Sequence, residues 1–96
     1  MPLTVAPPLL AFEDDDSGYV AWTRANTRGY VVNTYKRPAA AYLILHWADC
    51  RDISGRWDAW TSRDYAKVCG TDVAQLEAWA RDEVGGVLAK CAHCWA

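Results

Sequence analysis

Acidic side chains are missing from residues 17–48, although the chain as a whole carries a formal net charge of −2. That stretch holds Arg24, Arg28, Lys36 and Arg37, so one continuous segment is basic inside an acidic protein. The small negative total charge does not advertise nucleic-acid binding, and local fields matter more than the total. No apolar run approaches the roughly 20 residues that a membrane-spanning helix needs. The start, MPLTVAPPLLAF, lacks a basic leader region, its apolar run is broken by Pro7 and Pro8, and acid follows at once. A secretory signal is therefore not expected, and the reading is an intracellular, cytoplasmic protein with no membrane partner. Internal repeats and low-complexity tracts are also missing, which excludes solenoid and tail-like architectures.

What remains is a 96-residue chain, 52% apolar, with six tryptophans and five tyrosines. A domain this small has a marginal core, and a covalent or metal staple helps it fold. The aromatics fill that core or line a binding surface. Residues 1–16 read as an extended acidic arm with scattered apolar residues, and 17–96 as a single domain. Glu13, Asp14, Asp15, Asp16 and Ser17 form a helix start, because carboxylates and a hydroxyl suit exposed N–H groups. The helix is predicted over 18–27, turning Tyr19 and Trp22 inward, with Gly29 as its left-handed C-cap.

Three β-rich runs follow: 30–35, 42–46 and 65–69, the second (YLILH) apolar enough for burial on both faces. Residues 49–56 are a polar connection, and 57–61 are ambiguous between strand and loop. Asp72, with Gln75 three residues on, opens the clearest helix; Val73, Leu76, Ala80 and Val84 recur at helical spacing, and Gly85-Gly86 ends it. The expected fold class is α+β: a short antiparallel sheet, two helices and a C-terminal CxxC knuckle.

Chemistry concentrates in His46, Cys50, Cys91 and Cys94. The spacing is H-x3-C, a long separation, then C-x2-C. Zinc takes four N or S ligands in a tetrahedron, and pairs two to four residues apart grip one ion from a single turn. Reduced thiols in an intracellular protein favour metal over disulfides. The expectation is one structural Zn2+, its coordination complete. Three other readings stay open: two disulfides, a redox CxxC, and His46 as an ordinary core histidine. Cys69 has no partner at short spacing and reads as a small buried apolar residue. His93 lies between the two knuckle thiols and is expected to point away.

The order of these motifs resembles the Ada-type metal-binding domain, a zinc-bearing DNA-repair module that accepts methyl groups from phosphotriesters. The resemblance covers roughly residues 30–95 and rests on LHWADC, TDVAQLEAWARDEVGG and CAHC. It aligns Cys50, Cys91 and Cys94 with three of that family's four zinc cysteines and places His46 where its methyl-accepting cysteine stands. An imidazole cannot replace a zinc thiolate in that transfer, so the resemblance implies the scaffold and a DNA-facing surface without the repair reaction. The GYVVN strand followed by an LH-x3-C turn is also similar to small zinc modules of actinobacterial proteins, some joined to nuclease or defence domains.

These resemblances imply a non-catalytic module that recognises double-stranded DNA, including modified DNA in a restriction or defence setting, with a nuclease or defence protein as a further partner. Arg24, Arg28, Lys36 and Arg37 are candidates for phosphate contacts, and Asn33 and Arg51 for base edges. Trp47, Trp57 and Trp60 are candidates for stacking on an extruded base. The rival reading is a protein-interaction adaptor with a structural zinc, for which the negative total charge and the tryptophans speak. Catalysis is not expected, since neither histidine has an evident acid or nucleophile partner in the sequence.

Overall fold

The computed structural model describes residues 3–53 and 60–95. It is α+β, with two helices and a five-stranded mixed sheet in the order β1-β4-β2-β3-β5. Strands β2 (Tyr30–Tyr35), β3 (Leu43–Trp47) and β4 (Tyr65–Gly70) form the antiparallel centre. Their Val, Ile, Thr and Tyr content suits a pleated, half-buried surface. Two edges lie outside the predicted elements. Within the N-terminal arm, Leu10–Phe12 forms β1 and pairs antiparallel with β4. Near the C-terminus, Ala89–Lys90 forms β5 and pairs parallel with β3. Both runs are too short to show a period, which is why the sequence pattern leaves them unmarked.

Side chains alternate across the sheet, and each face has its own cover. Val32, Leu43, Leu45 and Val68 meet Leu76 and Trp79 of α2 (Val73–Trp79), with Ala80 just past its end. Leu9 completes this layer, and the Trp79 indole donates to the Thr4 carbonyl at 3.0 Å, so the arm is stitched onto α2. The opposite face carries Val31 and Cys69 against Tyr19 of α1 (Asp16–Ala25), with Ile53, Cys50 and Cys91 in the same cluster.

The acidic run is built into these joints. Asp15, within the acidic run expected to open the helix, is the N-cap of α1 and accepts from the Gly18 amide at 2.9 Å. Asp16 accepts from the Thr61 amide at 2.7 Å and from the Ser62 hydroxyl at 2.9 Å, and Asp14 pairs with Lys36 at 2.7 Å. Helix α1 ends on Asn26 at negative φ, so Gly29 is not its left-handed cap. Gly29 is required for close approach instead: a Cβ there would come within 2.7 Å of the Trp22 ring. The second helix starts as predicted at Asp72, which accepts from the Ala74 amide at 3.0 Å. It runs on through a π-helical turn, Ala80–Val84, and closes on Gly85 at φ 80°. Of the ambiguous run 57–61, residues 57–59 lie outside the described residues, and Trp60 and Thr61 are in turns. No helix among the described residues is long and apolar enough to cross a membrane.

Leu76 is fully buried between the sheet and α2. Leu76→Ala should lower unfolding free energy by about 2–5 kcal/mol, read from urea denaturation of the two proteins side by side.

Candidate metal centre

Strand β3 delivers the first arm of the centre. His46 lies on it one residue from its end, and the chain then turns tightly, with the Cys50 amide donating to Trp47 O at 3.0 Å and the Ile53 amide to Cys50 O at 3.0 Å. The Ala48 amide, bonded to Gly29 O at 2.9 Å, ties this turn to the start of β2. The second arm arrives on β5, which pairs with β3 through Ile44↔Ala89 and Leu45↔Lys90. One acceptor, the Leu45 carbonyl, takes both the Cys91 amide at 2.9 Å and the Trp95 indole N–H at 3.1 Å. The C-terminal knuckle is thereby fixed beside the residue that precedes His46.

This arrangement gathers the four predicted ligands. One ligand atom from each of His46, Cys50, Cys91 and Cys94 lies within 4.8 Å of every other, close enough to hold one metal ion. None of the cysteines is in a disulfide. His46, Cys50 and Cys91 are buried, and Cys94 is half-buried. The chemistry of the group fits a cation. His46 Nδ1 is buried with no hydrogen-bond partner among the described residues. A polar atom left so is costly unless something answers it. Burial holds the His46 pKa down to about 4, which keeps the imidazole neutral, as a ligand must be. Burial pushes the Cys50 thiol up to about 12 and raises Cys94 as well. Backbone hydrogen bonds from Asp52 to Cys50 and from Trp47 to Cys94 work against that rise. Without a positive charge the pocket thus disfavours thiolates, and a bound cation would supply the missing compensation.

An aromatic shell surrounds the knuckle. Trp95 stacks on Trp47 with ring centroids 4.9 Å apart and on Tyr30 at 6.1 Å, and Lys90 Nζ sits 5.0 Å from its ring. Trp60 and Trp95 pack against the cluster containing Cys50 and Cys91. An apolar surround of this kind keeps water from the ligands and lowers the local dielectric.

The competing ligands fall outside the four. Cys69 is fully buried in the core on β4, its thiol pKa raised by burial. His93 is 65% exposed and touches Asp52 through Nδ1. A carboxylate partner for His93 is invisible in the sequence, because residues 52 and 93 meet only where the two arms converge.

The proposed nucleic-acid contacts are scattered. Arg24 and Arg28 are exposed near the start of β2, whereas Arg37 is exposed past its far end. A six-residue strand separates them by roughly 20 Å. Lys36 is engaged by Asp14. Asn33 is not open for base reading: its Nδ2 donates to the Tyr42 hydroxyl at 3.0 Å and its Oδ1 accepts from Lys67 Nζ at 2.8 Å. Arg51 is exposed, and Trp47 and Trp60 are half-buried. Trp57 lies outside the described residues. What sequence reasoning missed is a tyrosine stack at one end of the sheet. Tyr35 lies 4.9 Å from Tyr42 and 5.6 Å from Tyr65, with Tyr35 and Tyr65 about two-fifths exposed. Tyr35 and Tyr65 are register partners on β2 and β4, and only the strand pairing makes that visible.

Each thiol must lose its proton to bind, so metal affinity should rise with pH, by up to about a thousandfold per pH unit while three thiols are protonated. Competition against a chelator of known affinity at several pH values measures this. A pH-independent affinity contradicts thiolate ligation. Cys91→Ser should release the ion, seen as loss of the metal mass under native ionisation.

No family model matches the chain, and neither a curated protein nor a solved structure matches it.

Proposed function

We propose that this chain is a non-catalytic DNA-recognition module whose fold is held by one structural Zn2+. Zinc is favoured by the donor set, three thiols and an imidazole around one point. Four protein ligands complete a tetrahedron, which suits a structural ion. The observation that carries the binding half is the stack of exposed Tyr35 and Tyr65 with half-buried Tyr42, with exposed Arg37 two residues past Tyr35 in the chain. Aromatic faces accept any base by stacking, and a neighbouring guanidinium meets phosphate. Lys67 Nζ, 6.0 Å from the Tyr65 ring, adds positive charge behind the platform. The Ada-type resemblance supports the same surface class, and modified duplexes in a restriction or defence setting are its natural substrates. A nuclease or defence protein is the partner that fits such a module.

Binding to plain and modified duplexes at two salt concentrations tests this. Affinity should fall steeply as salt rises, and Arg37→Ala should reduce the salt slope by about one. Tyr35→Ala should cost about 1–3 kcal/mol, and Arg28→Ala, a strand's length away, clearly less. Salt-insensitive or absent binding overturns the DNA reading, and a co-purifying protein held by the same tyrosines replaces it with the adaptor reading.

A further inference from the structure

Beside the four-ligand centre lies an open cleft of about 410 Å³. Its walls include Asn33, Tyr42, His46, Asp52, Cys91 and His93. Three of these residues form a second convergence: ligand atoms of Asp52, Cys91 and His93 also lie within 4.8 Å of one another. A single carboxylate oxygen, Asp52 Oδ2, makes both contacts, touching His93 Nδ1 and lying 3.5 Å from Cys91 Sγ.

The sequence logic is a repeat of the first site shifted by two residues. Asp52 stands two residues after Cys50 on one arm, and His93 two residues after Cys91 on the other. The turn that points Cys50 inward therefore directs Asp52 toward the cleft, and the knuckle does the same with His93. Asp52 is about one-third exposed and His93 about two-thirds, so the group opens to solvent where the first centre is closed.

Charge decides what the group can take. Three thiolates and a neutral imidazole around one dication leave an excess of one negative charge, and the Asp52 carboxylate adds a second. The Cys91 thiol donates to Asp52 Oδ2 at 3.5 Å; once Cys91 binds the first ion as a thiolate that donor is lost, and two anionic atoms at this distance favour a cation that bridges them. Sulfur, nitrogen and oxygen donors in one set match borderline dications such as Zn2+ or Co2+, and exclude Mg2+ and Ca2+, which take oxygen.

We infer that Asp52, His93 and Cys91 form a second divalent-metal site, with the Cys91 sulfur shared between the two ions. The site has three protein donors, leaves a coordination position facing the cleft, and binds more weakly than the first because it is exposed. This rests on the four-ligand centre, since both use Cys91.

Cobalt titration of the metal-free chain separates the two. The first equivalent should give tetrahedral absorption with thiolate-to-cobalt charge transfer. A second, weaker equivalent should change that charge-transfer band, because Cys91 acquires a second ion. Asp52→Asn and His93→Gln, both at exposed positions, should each abolish the second equivalent and leave the first intact. Uptake of one equivalent only overturns the second site and spares the first, and no uptake overturns both. A second equivalent that leaves the band unmoved, or that survives both substitutions, is adventitious and overturns the shared site.

Discussion

The two arms of the candidate metal centre converge on the Leu45 carbonyl and the residue after it. That oxygen accepts from the Cys91 amide and the Trp95 indole, while His46 faces the three thiols from the next position. Strand β5 is two residues long and exposed, and a pairing that short has little stability of its own. A metal held by His46, Cys50, Cys91 and Cys94 would fix the C-terminal segment to the middle of the sheet. In a domain of this size, binding energy at such a joint is folding energy.

The remaining polar groups follow the same economy. Asp14, Asp15 and Asp16 read as a charged run, yet each joins a different element to its neighbour: a lysine after β2, the first turn of α1, and the Thr61–Ser62 turn. Buried Lys67 bridges Asn33 Oδ1 and the Trp60 carbonyl, and burial lowers its pKa to about 8. These joints consume Lys36 and Asn33, two of the side chains that the sequence offered for DNA. The surface left for the proposed recognition is aromatic more than basic.

Much of this was legible in the chain. Residues 30–35 carry a β-branched and aromatic run interrupted only by Asn33, and the strand matches it residue for residue. Asp72 and the Leu76–Ala80 spacing placed α2, and the His/Cys spacing picked out the four residues that the fold brings together, because local periodicity and short bites are written in sequence. The edges were not legible. Leu10–Phe12 and Ala89–Lys90 owe their strand state to partners far along the chain. Gly29 reads as a helix cap by position, but packing against Trp22 is what requires it. The tyrosine stack and the Asp52–His93 contact exist only once the register and the turns are set.

On this reading a metal at His46, Cys50, Cys91 and Cys94 holds the C-terminal segment on β3. Amide exchange of the metal-loaded and chelated protein measures it directly. Removing the ion should strip protection from residues 87–95 and from the turn around Cys50, including the Cys91 amide, with β2 and β4 losing less. Unchanged protection at Cys91 after complete metal removal contradicts the account.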